Sequence, residues 1–275
     1  GALFAGFPIV YASMFSAMYI PFMLFLFALI FRAISIEFRS KEPMKWWRQM
    51  WDVSYSVSSI LLAVLLGVVL GNVLQGVALG ENFEFQGHWT EFLNPYAIMV
   101  GVTTLALFTM HGAIYLTMKT EGRLFEKVTL LLRRAIIFFV VSFAIVTVYT
   151  LIYIPHLSDD FQQAPALFIA PLLAFLSIAN VPRLVAKRRF RMAFIFSSIT
   201  VAMLLALVAI ELYPTLIIST IDEQYSLTVY NAAASEKSLG IMLTIAAIGA
   251  PLVLSYTAFV FWTFRGKVKL DETSY

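Results

Sequence analysis

VSSILLAVLLGVVLGNVLQGVAL, residues 57–79, decides the fold. The stretch carries no charge and is longer than the roughly 20 mostly apolar residues that cross a bilayer as a helix. It lacks the strict two-residue alternation of a membrane strand, so it reads as a spanning helix. Six further stretches have the same apolar character: 13–34, 95–118, 135–154, 165–181, 190–212 and 240–264. Pro171 lies inside the fifth, which predicts a kinked or shallow span, and Gly249-Ala250-Pro251 predicts a bend in the last.

Composition agrees with that reading. Hydrophobic residues make up 61% of the 275 and charged residues 13%, against roughly 45–50% and about 25% in soluble domains. Mean hydropathy is +0.86. Too few charges remain to cover a soluble surface. The expected fold is therefore all-α, a polytopic transmembrane helix bundle of seven helices forming one membrane domain over 1–275. With no Cys in the chain, disulfides, thiolate metal sites, iron–sulfur clusters and c-type haem attachment are excluded.

The connections sort by charge. Arg32, Arg39, Lys41, Lys45 and Arg48 fall in one, Lys119, Arg123, Lys127, Arg133 and Arg134 in the next on that side. Arg183, Lys187, Arg188, Arg189 and Arg191 follow, then Arg265, Lys267 and Lys269. These are 18 of the 19 Lys and Arg; the opposite side has only Lys237 and collects Glu81, Glu84, Glu91, Asp159, Asp160, Asp222, Glu223 and Glu236. The positive-inside rule makes the basic side cytoplasmic, with the C-terminus on it. The net charge of +3 is thus a topology signal, and nothing points to nucleic acid. The helix count then leaves the uncharged 1–30 segment starting outside. Pro8 divides an interfacial or re-entrant piece from the first span, and a preceding helix that would return the chain to the cytoplasm is expected.

Ionisable and polar groups inside such a bundle are functional candidates because burying them is costly. His111, in Met110-His111-Gly112-Ala113, suits a proton relay, a haem ligand, or an interhelical hydrogen bond with Gly112 allowing close approach. A bis-His haem needs a second intramembrane His, and His88 and His156 both fall in outer connections. Asp52, following Trp46, Trp47 and Trp51, reads as a capping carboxylate just before the second helix or as a proton entry. Glu211 suits an interfacial position or a polar route. Gly67-x3-Gly71 and Gly76-x3-Gly80 are small-residue patterns for close helix packing, and Asn72 beside them needs a partner. Asn94-Pro95 reads as cap and first turn of the third helix. No nucleotide loop, serine nucleophile with its base, or metal cluster is visible. A transporter, a scaffold subunit and an accessory subunit of a redox complex remain open on these residues.

Several stretches together resemble subunit II of cytochrome bd-type quinol oxidases. They are Gly1-Ala2-Leu3-Phe4-Ala5-Gly6-Phe7-Pro8, the basic turn from Phe31-Arg32 to Phe38-Arg39-Ser40-Lys41, and Trp51-Asp52 with the run from Gly67 to Gly76. Asn94-Pro95-Tyr96-Ala97 with Met110-His111-Gly112-Ala113 and Lys119-Thr120-Glu121-Gly122 is the most specific. The tail from Ile248 to Glu272 is similar nearly throughout. The resemblance implies an eight-helix chain with both ends cytoplasmic, of which the first helix would be missing here, together with its acidic residues. It implies a heterodimer in the bacterial cytoplasmic (inner) membrane. Subunit I would carry haem b and haem d, oxidise quinol and reduce O2 to water. This subunit would enclose it, ligating no haem or metal itself. Quinone, including a structural quinone as in some members, the lipid bilayer and a small accessory subunit are the remaining implied companions. Asp52, Asn72 and His111 become candidates for a proton path or a subunit-interface hydrogen bond. The rival is a secondary transporter with a discontinuous-helix site at Pro171 and Pro251, against which no repeated halves are visible.

Overall fold

The apolar stretch 57–79 folds as part of a longer helix, Lys45–Gln75. The computed structural model describes residues 1–154 and 168–267, so His156, Asp159, Asp160 and Lys269 fall outside the described residues. In chain order the helices are α1 (Ala2–Gly6), α2 (Pro8–Ala17), α3 (Tyr19–Arg39), α4 (Lys45–Gln75) and α5 (Pro95–Lys119). Then come α6 (Gly122–Tyr153), α7 (Ile169–Ala186), α8 (Phe190–Leu212) and α9 (Glu236–Thr263). Among the described residues seven of these, α3 to α9, are long and apolar enough to cross a membrane.

The helices extend further toward the basic end than the apolar windows do. α4 starts at Lys45 rather than 57 and α6 at Gly122 rather than 135. Backbone hydrogen bonding continues through Trp- and Arg-rich sequence as readily as through Leu. At the other end α4 stops early. Gly76 takes φ 100°, a conformation open to glycine, and the chain leaves the helix. Val77 then donates to the Ile218 carbonyl at 2.8 Å and Thr220 to the Val77 carbonyl at 3.1 Å. The expected packing pair Gly76 and Gly80 therefore lies off the helix.

The first expected span, 13–34, is broken. Pro21 has no N–H for the Ala17 carbonyl and its ring crowds that turn, so α2 ends at Ala17 and α3 starts beyond Met18. The ten-residue α2 folds over the acidic end. Ser13 Oγ donates to the Phe83 carbonyl at 2.8 Å, and Val10, Met14 and Met18 pack against Val77, Leu79, Phe92, Ile217 and Leu227. Pro8 opens α2 at its first position, where its missing N–H costs nothing. The same cap contains the one departure from helix among the described residues that forms a sheet: β1 (Thr215–Ile217) pairs antiparallel with β2 (Leu227–Thr228).

Pro171 does not kink the fifth span. It is the third residue of α7, in the first turn, where backbone N–H groups lack intrahelical partners anyway. The interior proline of α7 is Pro182. The last helix, α9, continues through Pro251 as a single helical element.

α5 is the centre of the bundle, flanked by α4, α6 and α8. Its Met110 and Ile114 meet Leu132 and Phe139 of α6, Val181 of α7 and Ala193 of α8 in the main core. α9 differs: no residue in it is buried. Its ends are fastened by Ala234 N–H to the Gly6 carbonyl at 2.8 Å, Lys119 Nζ to the Phe264 carbonyl at 2.7 Å and the Lys267–Glu121 pair at 3.1 Å.

Candidate polar sites of the membrane bundle

Polar contacts gather at three sites of the bundle, two within it and one at its basic end. The first is at the acidic end, where α4 meets α5. Asn72 is 3% exposed, and its amide is fully occupied. Nδ2 donates to the Val68 carbonyl at 2.8 Å and to the Phe92 carbonyl at 2.9 Å. Oδ1 accepts from Asn94 Nδ2 at 2.9 Å. Asn94 in turn caps α5 as expected, its Oδ1 accepting from the Ala97 N–H at 2.8 Å. An amide away from water keeps its folded position only if such partners are found. Gly71 brings the helices together here: a Cβ on it would stand 2.7 Å from Ala97 Cα. One turn earlier, a Cβ on Gly67 would stand 2.6 Å from Gly101 Cα. A cavity of about 270 Å³ lies beside Asn72, lined also by Gln75, Glu91, Asn94 and Thr220, and the buried Gln75 Oε1 has no donor there.

The second site joins α5 to α8 deep in the bundle. His111 Nδ1 lies 2.9 Å from Ser197 Oγ, and the ring stacks on Phe194 with centroids 4.8 Å apart. Ser197 Oγ is also 2.9 Å from the Phe194 carbonyl. A hydroxyl has one proton; directing it to that carbonyl leaves His111 Nδ1–H as the donor to Ser197. Gly112 does not provide the expected close approach, since a Cβ on it would meet nothing within 4 Å. It faces away from the α8 contact that His111 makes.

The third site is the basic end of the α3–α4 hairpin. Asp52 sits two turns inside α4 rather than before it, so it caps nothing. Instead Arg39 Nε donates to Asp52 Oδ1 at 2.6 Å and Nη2 to Oδ2 at 3.4 Å. Trp47 Nε1 donates to the Phe38 carbonyl at 2.7 Å, and Ser35 Oγ to Ser54 Oγ at 2.9 Å. Arg32 lies over the Tyr55 ring, 5.4 Å from its centroid. Beside these groups is an open cavity of about 400 Å³, lined by Ser35, Arg39, Trp51, Asp52 and Tyr55 among others. The Asp52 side chain remains 54% exposed.

The structure thus keeps Asp52, Asn72 and His111 apart, at the basic end, the acidic end and the middle of the bundle. Sequence reasoning missed Arg39, Ser197 and Gln75 as members of these sites. A Ser or Gln in an apolar helix was the available signal, but its partner lies 86 residues away in the case of Ser197. Among the described residues no group of three or more His, Asp or Glu is placed to hold a metal ion. His111 and His88 belong to different sites, His88 capping the short helix Trp89–Leu93 in the connection between α4 and α5. Among the described residues, then, the two His are not brought together as a pair.

An antiparallel helical bundle with seven apolar spans and dispersed polar contacts is the fold of a multi-pass membrane protein. The chain belongs to the cytochrome bd terminal oxidase subunit II family, whose model matches residues 1–264. It is 28% identical to cytochrome bd-I ubiquinol oxidase subunit 2 of Escherichia coli (strain K12), over 99% of this chain and 80% of that one. Identity to cytochrome bd ubiquinol oxidase subunit 2 of Bacillus subtilis (strain 168) is also 28%, with the same coverage. The solved bd oxidase from Geobacillus thermodenitrificans shares the fold, with a TM-score of 0.69 at 19% identity, covering 89% of this chain and 73% of that one. These relatives do not favour the transporter reading.

Proposed function

We propose that this chain is the haem-free half of a heterodimeric quinol oxidase of the bacterial cytoplasmic membrane. Quinol oxidation would be coupled to reduction of O2 to water on haems b and d of subunit I. The observation that carries the reading is the family match across 1–264. The one-sided distribution of Lys and Arg supports a cytoplasmic basic end and C-terminus. In this role the packed apolar helices keep water from the partner's haems and leave O2, an apolar gas, a path from the lipid. Asn72 holds the α4–α5 junction. Asp52 and His111 are the proposed proton-path or interface groups, and a structural quinone and a small accessory subunit complete the assembly.

The test is co-purification of the tagged chain from membranes, with a reduced-minus-oxidised visible spectrum and quinone extraction. Haem b and haem d bands travelling with this chain and a second hydrophobic subunit are the expected result. A colourless, partner-free but folded preparation would refute the reading. Within an active complex, Asp52→Asn or His111→Gln should slow oxygen consumption wherever that residue relays protons. Unchanged turnover at normal haem content would leave it a structural group.

A further inference from the structure

We infer that the cavity at the basic end of the α3–α4 hairpin is a headgroup site for an aminophospholipid, a lipid bearing both a phosphodiester and a primary ammonium. Its depth follows from the aromatic residues around it. Trp46, Trp47 and Trp51 cluster edge-to-face at the start of α4, at the level where Trp and Arg mark the membrane–water interface. The Trp47 bond to the Phe38 carbonyl and the Arg39–Asp52 pair lock the two helices, so the walls are formed before anything binds.

The lining carries both signs of charge: Arg39 against Glu37 and Asp52, with Ser40, Trp51 and Tyr55. Arg39 has five N–H donors and gives Asp52 two of them, leaving donors for a phosphate. The indole N–H of Trp51, in the cavity wall, is buried without an acceptor, a state that an added acceptor relieves. Glu37 is exposed and has no cationic partner among the described residues. A phosphate answers Arg39 and Trp51, and an ammonium answers Glu37 and Asp52. An anionic lipid without an amine would leave two carboxylates facing its charge. Ile36 in the lining and exposed Val53 and Val57 along α4 give the acyl chains an apolar track toward the membrane centre. The inference rests on the basic end lying at a membrane surface and not on the oxidase activity.

The experiment uses the whole complex in nanodiscs containing phosphatidylethanolamine and phosphatidylglycerol, followed by detergent release and mass spectrometry of retained lipid. Phosphatidylethanolamine should be retained over phosphatidylglycerol by about fivefold, the size expected for partly exposed ion pairs. Glu37→Gln should erase that preference. Trp51→Phe, which keeps an aromatic ring but removes the N–H together with the pyrrole half of the indole, should lower retention of both. Haem content and visible spectrum are the control for assembly, so a failed lipid result is distinguishable from a failed oxidase. No preference in the unaltered complex, or a preference that survives Glu37→Gln, overturns the inference. Soluble glycerophosphoethanolamine should not displace the lipid; displacement at equal headgroup concentration would overturn the membrane lipid as occupant.

Discussion

Helices α4 and α9 are both long, apolar and dotted with glycine, yet half of the α4 membrane window is buried and none of α9 is. The difference lies in the facing surface. Gly67 and Gly71 of α4 meet Gly101 and Ala97 of α5, and a Cβ on Gly101 would in turn stand 2.9 Å from the Val64 carbonyl. Small residues on both helices let the backbones approach, which is how helices associate where lipid is as apolar as Leu. Gly240 and Gly249 of α9 would place a Cβ against nothing within 4 Å. A glycine becomes a packing residue only when the opposing helix is equally small.

The strongest way to break this contrast is the same substitution in both helices. Gly67→Leu should cost about 3 kcal/mol or prevent assembly, because the Gly101 backbone cannot yield the volume. Gly249→Leu should stay within about 0.5 kcal/mol. Thermal loss of the haem spectrum in the purified complex reads both, and an equally damaging Gly249→Leu would mean that α9 is tightly packed in the assembly. Asn72→Leu comes next. It leaves the Asn94 amide and the Phe92 carbonyl short of a partner in a buried junction, for a loss of about 2 kcal/mol, measured in the same melt. Ser197→Ala removes one hydrogen bond between α5 and α8 and should cost about 1 kcal/mol. The smallest effect belongs to the tether at the end of α9. Glu121→Gln removes an exposed ion pair, so the melting point should fall by an amount near the limit of detection and become less dependent on salt.

The seven spans and their alternating direction were legible because each depends only on local composition and on where Lys and Arg fall. Asn94-Pro95 was legible for the same reason: a cap acts on its own helix. The break at Met18 is not legible in apolar length, which runs on unbroken through Pro21; it follows from one missing N–H. Gly76 was read as a helix-packing residue, since φ 100° is a property of the chain path and not of composition. Asp52 precedes the apolar run and so reads as a cap, but α4 starts at Lys45, which places the carboxylate on a helix face opposite Arg39. Ser197 gave no sign of its role until α8 was laid against α5.

By itself the sequence determined a polytopic helical membrane protein, its two differently charged ends, the absence of thiol chemistry and the resemblance to an oxidase subunit. Burial in lipid demands a run of apolar side chains and internally bonded backbone, and both leave a continuous imprint on the chain. Tertiary structure alone decided which glycines touch a neighbour, that Asn72 reaches Asn94, that His111 meets Ser197, and that Arg39, Trp51 and Asp52 share one cavity. Those outcomes depend on the rotation and offset of one helix against another, set by the sum of many weak contacts, which no single stretch of sequence records.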